Sequence, residues 1–211
     1  MKNYSYIGIS FVILVFGIWV VNEYEQRAQN KELLTFEKVP PFSFINQEGD
    51  TISNETYAGK VHVVEFFFTT CPTICPIMTQ HTVLLQNKFY GNPHFGIASI
   101  SINPHNDRPE VLKAYAKEKG ATMRSWHFLT GDQAEIYRFS NEGFRLYAGA
   151  NPSAAGGFEH SGMFALVDKK GYIRSRTVQV GEQSNPIKFY DGLDLKAIEM
   201  LKEDIQILLE E

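Results

Sequence analysis

The sequence predicts an α/β domain with a mixed central sheet, preceded by one N-terminal transmembrane helix. Three observations support this prediction. Residues 6–21 contain no charged side chain. Strand-like and helix-like segments alternate between residues 61 and 139, as in α/β folds, and two later strand signals flank a tight turn, which indicates an antiparallel hairpin. With 211 residues and 44% hydrophobic content, the chain can bury one large core, so disordered and fibrous classes are excluded.

The apolar segment at residues 6–21 is interpreted as an uncleaved signal anchor. It is short for a membrane span and slightly long for the core of a signal peptide. Residues 22–28 are bulky and polar and contain no small-residue cleavage motif, whereas the Trp19 and Tyr24 rings suit a membrane–water interface. A cleaved signal peptide remains the alternative. The predicted division is an anchor at residues 1–21, a polar tether at 22–35 and a domain at 36–211.

The expected location is the plasma membrane of a bacterium, crossed once, with the domain on the extracytoplasmic side. Lys and Arg residues flank the apolar segment on both sides, so their counts do not settle the orientation. A lone N-terminal anchor commonly leaves the bulk of its chain outside the cytoplasm. The N-terminus is not rich in Arg and Ser, as a mitochondrial transit peptide would be.

The elements of the domain follow from local patterns taken in chain order. Gly49 and Asp50 mark the tip of a first hairpin. Residues 61–68 form an apolar, β-branched run typical of a buried central strand, and the segment 109–120 has Pro at its first turn and Gly at its end, as helices do. The predicted strands are residues 61–68, 95–102, 125–129, 163–167 and 172–180. The predicted helices are residues 71–90, 109–120, 132–139 and 193–209.

Residues 148–162 differ in composition from the rest of the domain. They are rich in Gly, Ala, Ser and Asn and poor in core residues, which predicts a mobile surface loop. Ordering such a segment costs conformational entropy that its own side chains cannot offset. We therefore expect it to be mobile until a ligand constrains it.

Charge and cysteine content exclude two further classes. The chain has 20 basic and 24 acidic residues, a net charge of −4 and a pI near 5.9. It shows no basic stripe that could neutralise a run of phosphates, so no nucleic-acid partner is expected. Two cysteines cannot form a disulfide-dense scaffold.

The two cysteines, Cys71 and Cys75, directly follow the most apolar strand and open a predicted helix. A thiol at a helix N-terminus meets the positive end of the helix dipole, which lowers its pKa. A spacing of four residues places both sulfurs on one helix face. Two thiolates this close can form a disulfide or hold one soft metal ion. The alternative is a pair of buried, inert cysteines.

A metal site needs a third ligand, and His160 is the best placed of the six histidines. It lies in the Gly-rich segment immediately before a strand, although an exposed loop histidine would look the same. Met78 and Met163 are soft candidates for a fourth ligand, but Met78 lies on a helix stripe that is more typical of a core. The remaining histidines lie in strands, in loops or on another helix face: His62, His81, His94, His105 and His127.

Three blocks of the sequence resemble the SCO/SenC family, copper proteins of cytochrome c oxidase assembly. Residues 64–78, VEFFFTTCPTICPIM, resemble the core signature of that family, and residues 101–112, SINPHNDRPEVL, resemble its second block. His160, about ninety residues after the cysteines and ahead of an FALVD strand, matches the third. The resemblance spans residues 38–209, and a single membrane anchor agrees with it.

This resemblance implies a thioredoxin-like fold in which Cys71, Cys75 and His160 bind one copper ion, as Cu(I) or Cu(II). It implies delivery of copper to, or reduction of thiols at, the dinuclear copper centre of an oxidase subunit. The implied partners are the copper-bearing subunit of cytochrome c oxidase, an unidentified copper donor and the membrane. The implied protein is a metallochaperone, and thiol–disulfide reductase activity stays open.

The second block departs from the family pattern D-P-x-x-D-[TS] at two positions. Asn103 stands where the first Asp belongs, and Arg108 stands where the small hydroxyl residue belongs. Asp107 retains the second Asp and is a candidate for a role close to the metal ligands, in proton handling or docking. The alternative is that Asp107 is an acid near the N-terminus of the helix that begins at Pro109.

Three alternatives to a copper chaperone remain. Two Cys and one His can also hold zinc with one open position. A thiol–disulfide oxidoreductase would use the same thiols, although such enzymes normally have C-x-x-C and a proline where this chain has His160-Ser161-Gly162. A thiol peroxidase would need an activating Arg, for which Arg124 or Arg145 would have to serve by coincidence.

Overall fold

The computed structural model describes residues 12–20, 32–181 and 183–211. Residues 12–20 are helical and belong to a unit, residues 1–33, that is separate from the domain at 34–211. Within the described residues, no helix combines the length and apolarity needed to cross a membrane. The start of the predicted anchor and most of the predicted tether, residues 1–11 and 21–31, lie outside the described residues. The anchor, the domain boundaries and the location therefore stay predictions.

A mixed sheet forms the centre of the domain, as predicted. Its nine strands, counted within the described residues, run in the order β1-β10-β9-β4-β5-β6-β2-β3, with β13 paired to β9. Two further strand pairs, β7–β8 and β11–β12, stand outside this sheet. The strands are β1 Leu34–Lys38, β2 Ser43–Asn46, β3 Thr51–Ser53, β4 Val61–Phe67, β5 Phe95–Ser101, β6 Trp126–Thr130, β7 Ala148–Ala150, β8 Phe158–His160, β9 Met163–Val167, β10 Tyr172–Ser175, β11 Thr177–Val180, β12 Gln183–Pro186 and β13 Tyr190–Asp191.

Helices cover both faces of the central strand β4, because consecutive side chains of a strand point to opposite faces. The Phe67 ring packs against Tyr115 on α2, with 5.5 Å between ring centroids. The Phe66 ring packs on the other face against Phe139 and Phe144, which bound a π-helical segment that was not predicted. The α-helices are α1 Ile74–Phe89, α2 Pro109–Lys119, α3 Gln133–Arg138 and α4 Leu195–Glu210.

The direction of the strands brings three parts of the chain to one edge of the sheet. β4 and β5 are parallel, with Phe67 opposite Ser101 at their carboxyl ends. β9 is antiparallel to β4, so its first residue, Met163, lies at that same edge. The segments after β4, after β5 and before β9 therefore converge there.

The N-terminal and C-terminal strand predictions need two corrections. β1 begins at Leu34, inside the predicted tether, and pairs with β10 at the sheet edge. The strand predicted at residues 172–180 is divided at Arg176, whose guanidinium bonds the buried Asp204 carboxylate of α4, with 2.8 Å between Nε and Oδ2. After this interruption β11 pairs with β12 instead of with β9.

The segment predicted as a mobile loop, residues 148–162, instead contains the antiparallel hairpin of β7 and β8, in which Ala148 pairs with His160. The prediction of a loop without regular structure was wrong because the stabilising contacts come from other elements, whereas the mobility expected in the absence of metal stays a prediction. Asn141 bonds both the N–H and the C=O of Ala148, each at 2.9 Å. The Phe158 ring packs against Phe68, with centroids 5.4 Å apart.

Candidate metal centre

The two cysteines lie on either side of a helix start. The predicted helix start at Cys71 is wrong by three residues, since α1 begins at Ile74. Pro72 disfavours helical torsion angles at the residue before it, and Cys71 instead lies in a turn in which its N–H donates to the Phe68 carbonyl at 3.2 Å. Cys75 is the second residue of α1. The turn leaves Cys71 beside the helix N-terminus, where a thiolate is favoured.

The fold brings Cys71, Cys75 and His160 into one cluster. One ligand atom from each residue lies within 4.8 Å of the other two, and Cys75 Sγ is 3.1 Å from His160 Nε2. All three are buried, with relative exposures of 7%, 1% and 8%, and both cysteines are free thiols. Among the described residues, this is the group of Cys, His and acidic side chains whose spacing could hold a metal ion.

The His160 ring is oriented by its own backbone neighbour. Its Nδ1 lies 3.0 Å from the Ser161 carbonyl oxygen, an acceptor, so Nδ1 carries the proton and donates it. This tautomer leaves the Nε2 lone pair directed at Cys75, as a metal-binding histidine requires. The ring also stands edge-on to Phe68, at 84° and 5.9 Å. A pocket of about 210 Å³ between the Cys71 turn and the hairpin gives access to the cluster.

The two thiols have pKa values displaced in opposite directions. The hydrogen bond with the Cys75 thiol, together with bonds from the backbone N–H groups of Thr73 and Cys75, holds the pKa of Cys71 well below its ordinary value. The same hydrogen bond and burial raise the pKa of Cys75. The pair therefore keeps one proton at neutral pH, with the thiolate at Cys71 and the thiol at Cys75.

Asp107 binds the two loops that follow β4 and β5 and is fully buried. Its Oδ2 accepts from the Thr69 N–H at 2.9 Å and from Ser101 Oγ at 2.5 Å. Its Oδ1 accepts from Thr69 Oγ1 at 2.5 Å and from Asn106 Nδ2 at 2.7 Å. Asp107 does not cap α2, since the N-cap position belongs to Arg108. The carboxylate therefore fixes the turn that leads into Cys71.

The two departures from the family pattern have different surroundings. Asn103 is buried, and its carbonyl accepts from the Asn106 and Asp107 N–H groups at 3.1 and 2.9 Å. Arg108 is exposed and forms no side-chain cap on α2. Asn103 thus shapes the loop that carries Asp107 through its backbone, whereas Arg108 leaves the helix N-terminus without the hydroxyl that the pattern supplies.

The other candidate residues have surroundings of their own. Met78 is fully buried against Gly192, so it belongs to the core. His81 donates from Nδ1 to the Gly192 carbonyl at 2.7 Å, and His62 stacks on Tyr57 with centroids 4.4 Å apart. The remaining candidates are exposed, half-buried or bound elsewhere: His94, His105, Arg124, His127, Arg145 and Met163.

Sequence reasoning missed one residue on the strand that leads to the cysteines, Glu65. It is a buried carboxyl group in the middle of β4, and burial raises its pKa to about 7. The signal was present in the sequence, because Glu65 is the one acid in a strand that is apolar apart from His62. Buried acids without a cation are rare in cores and cluster at functional sites.

A model of the SCO1/SenC family matches residues 30–189. The chain belongs to this family. A SCO1 protein homolog of Bacillus subtilis is 38% identical over 147 residues, which cover 69% of this chain and 75% of that protein. The structure of BsSco, a member of the Sco family of cytochrome c oxidase assembly proteins with an identified disulfide switch, matches at 32% identity with a TM-score of 0.68, covering 84% of this chain and 96% of that chain.

More distant relatives of the family share the architecture. Copper-bound ScoI of Bradyrhizobium japonicum is 20% identical and matches with a TM-score of 0.64, covering 82% of this chain and 99% of that chain. At this identity the match speaks for the fold alone. Together with the mixed sheet, these matches confirm the predicted α/β, thioredoxin-like fold of the domain.

Proposed function

We propose that this protein is a membrane-anchored copper chaperone that binds one copper ion through Cys71, Cys75 and His160. It passes this copper to the dinuclear copper centre of a cytochrome c oxidase subunit. The observation that supports this function is the buried cluster of two sulfurs and one imidazole nitrogen within 4.8 Å. Membership of the SCO1/SenC family supports the identity of the metal and of the oxidase partner.

The donor set explains the preference for copper. Two thiolates satisfy the soft Cu(I) ion, and an imidazole nitrogen extends the site to Cu(II). Cys71 already favours the thiolate, so only the Cys75 proton has to leave when the metal enters. The Nδ1 bond of His160 to the Ser161 carbonyl keeps Nε2 free for the metal. The pocket beside Cys71 is the route by which thiols of the donor or the oxidase reach the ion.

Replacement of the three ligands tests the copper site. Cys71→Ala and Cys75→Ala should abolish tight Cu(I) binding, because one thiolate and one imidazole form a poor Cu(I) site. His160→Ala should retain much of the Cu(I) affinity and lose Cu(II) affinity. The measurement is a competition titration with a Cu(I) chelator and a Cu(II) spectrum of the full chain. The control, His94→Ala, removes an exposed loop histidine and should bind as wild type. Unchanged affinity in all three variants, or stronger binding of zinc than of copper, contradicts the proposal.

The second part of the proposal concerns location. The apolar run at residues 6–21 anchors the domain to the bacterial plasma membrane, with the domain on the extracytoplasmic side. The full-length chain should fractionate with membranes, and protease added to spheroplasts should digest the domain. A mature chain that starts near residues 22–29, found by N-terminal sequencing, contradicts the anchor.

A second candidate function is supported by the thiol pair itself. Cys71 favours the thiolate beside the protonated Cys75, an arrangement suited to reducing a partner disulfide. Such a protein would keep the copper-ligand cysteines of the oxidase subunit reduced. Cys75→Ala should then trap a mixed disulfide between Cys71 and a model disulfide, which mass spectrometry detects. Absence of that adduct with an accessible Cys71 argues against a reductase.

A further inference from the structure

The segment that orients the His160 ring is fixed by a backbone contact from the far end of the chain. His160 donates from Nδ1 to the Ser161 carbonyl at 3.0 Å. The next carbonyl, that of Gly162, accepts from the Gly192 N–H at 2.7 Å and extends the antiparallel pairing of β13 with β9. The Ser161 carbonyl and the Gly162 N–H belong to one planar peptide unit. The bond from Gly192 therefore restricts the group that orients His160.

The Gly192 backbone is held in turn by His81 of α1. His81 donates from Nδ1 to the Gly192 carbonyl at 2.7 Å, and its side chain is buried. Gly192 thus makes two hydrogen bonds, one through its C=O to α1 and one through its N–H to the segment between β8 and β9. Because α1 also carries Cys75, the helix that supplies one thiol is bonded to the segment that follows the imidazole.

The contact at Gly192 leaves no room for a side chain. A Cβ on Gly192 would lie 2.7 Å from the Gly162 carbonyl oxygen and 3.3 Å from two side-chain atoms of Met78. Gly192 does not have a positive φ, so the close approach, and not the backbone conformation, requires glycine here. Ile74, Met78 and His81 follow one another on α1 at spacings of four and three residues, which places them on one helix face. This face packs against the two glycines.

We propose that His81 is a positioning residue of the copper site: its hydrogen bond to Gly192 sets where the His160 imidazole stands relative to the two thiols. The proposal rests on the copper site of the proposed function. His81 acts through the backbone of Gly192 and Gly162 and is not itself a ligand. Its contribution is to fix the distance between the helix with the thiol and the segment with the imidazole.

The expected consequence is selective, because the sulfur ligands have supports of their own. Cys75 belongs to α1, and Cys71 follows the turn that Asp107 binds. Two thiolates satisfy Cu(I), whereas Cu(II) also needs the nitrogen ligand. Loss of a group that orients a metal-binding histidine weakens metal binding by roughly 10- to 100-fold. We expect the lower end of this range for Cu(II) and no change for Cu(I).

Two substitutions separate the hydrogen bond of His81 from the packing of its ring. His81→Phe keeps an aromatic ring but has no donor, whereas His81→Asn loses the ring and places an amide N–H₂ group where His carries Nδ1. Competition titrations of the full chain in detergent give both copper affinities. His81→Phe should bind Cu(II) roughly tenfold more weakly than wild type, and His81→Asn should retain most of the Cu(II) affinity. Wild-type Cu(II) affinity in His81→Phe, or an equal loss in His81→Asn, overturns the proposal.

A matched control shows whether general destabilisation produces the same loss. His62 is also a buried histidine, and it stacks on Tyr57. His62→Phe makes the same chemical change as His81→Phe but leaves the bond to Gly192 in place. Both copper affinities of His62→Phe should equal those of wild type. A loss of Cu(II) affinity as large as that of His81→Phe overturns the proposal.

Gly192→Ala keeps the test decisive if the His81 variants do not fold. Its Cβ displaces the Gly162 carbonyl while His81 is unchanged, so Cu(II) affinity should fall and Cu(I) affinity should stay. The control is Gly96→Ala, whose Cβ would lie 3.2 Å from the Ser125 carbonyl oxygen, at the opposite edge of the sheet from the site. Gly96→Ala should keep both affinities. Wild-type Cu(II) affinity in Gly192→Ala overturns the proposal.

A measurement without copper separates this proposal from the proposed function. Nitrogen-15 NMR of the metal-free full chain at pH 8 distinguishes the two neutral tautomers of His160. Wild type and His81→Asn should hold the Nδ1–H tautomer, and His81→Phe should show a mixture of both. The wild-type tautomer in His81→Phe overturns the proposal. A wild type that binds no copper overturns the chaperone, while the tautomer still decides whether His81 positions His160.

Discussion

Asp107 is a buried carboxylate that positions the metal site although it is not one of the three metal ligands. Its two oxygens accept hydrogen bonds from Thr69, Ser101 and Asn106. Thr69 and Asn106 lie in the loops after β4 and β5, and Ser101 is the last residue of β5, so the carboxylate joins the two loops at the edge of the sheet. The Thr69 turn leads directly into Cys71, and its position therefore depends on Asp107.

Replacement of this carboxylate should be strongly destabilising. In Asp107→Asn the amide N–H₂ group faces a hydroxyl or N–H donor, so at least one buried donor loses its acceptor. We expect a loss of about 3 kcal/mol in the free energy of unfolding, measured by urea denaturation. The matched control is Asp132→Asn at the N-cap of α3, where Asn caps as well as Asp and the change should stay within about 0.5 kcal/mol. Equal effects of the two variants would show that the Asp107 hydrogen bonds contribute little.

The hairpin of β7 and β8 is the element that delivers His160. At its tip, Gly156 and Gly157 both have positive φ, of 83° and 81°. A Cβ on Gly156 would lie 2.8 Å from Phe68 and 3.3 Å from Pro72, whereas a Cβ on Gly157 would meet no atom within 4 Å. The hairpin therefore rests directly on the turn that holds Cys71.

The two glycines form a matched pair of test sites. Gly156→Ala and Gly157→Ala should each lower the free energy of unfolding by about 1 kcal/mol, because alanine disfavours the left-handed backbone. Only Gly156→Ala also pushes the hairpin away from Phe68. We expect Gly156→Ala to lower the free energy of unfolding further than Gly157→Ala does, and to weaken Cu(II) binding through His160. Urea denaturation and a Cu(II) titration of both variants give the comparison. Identical behaviour would show that the hairpin position does not depend on this contact.

The sequence predicted the elements whose own residues specify them, and it did not predict the contacts between segments that are distant in the chain. The apolar run at residues 61–68 and the Pro and Gly of the second helix specify their elements from within. The hairpin at 148–160 is held by Asn141 and Phe68, which no local pattern connects to it. Similarly, Cys71 and Cys75 were recognised by spacing, but the turn at Cys71 depends on Asp107. Glu65 was overlooked because its partners come from other elements.

At the scale of the whole molecule, the fold buries a titratable residue far from the site. His62, on β4, stacks on Tyr57, and burial lowers its pKa to about 4 from an ordinary value of 6.5. Because the folded-state pKa is the lower one, the unfolded chain binds the proton first as the pH falls. The stability that depends on neutral His62 is present above pH 6.5 and is lost between pH 6.5 and pH 4.

The free energy of unfolding of the domain should therefore decrease less at acidic pH when His62 is replaced. Between pH 7.5 and pH 5, the wild type should lose about 2 kcal/mol more unfolding free energy than His62→Phe, which keeps an aromatic ring against Tyr57. Urea denaturation at the two pH values measures this difference. His94→Phe, at an exposed position, should keep the wild-type pH dependence. If His62→Phe also keeps the wild-type pH dependence, His62 binds its proton as readily in the folded state as in the unfolded chain.

The antiparallel entry of β9 into the sheet also determines when the site comes into being. Cys75 and His160 are 85 residues apart, and such distant contacts form late in folding because long loops must close first. A chain in which β4, β5 and α1 have docked but β9 has not already offers two thiols, yet lacks its imidazole. Acquisition of the nitrogen ligand thus reports the completion of folding, and a nascent chain that meets copper early would hold it by sulfur alone.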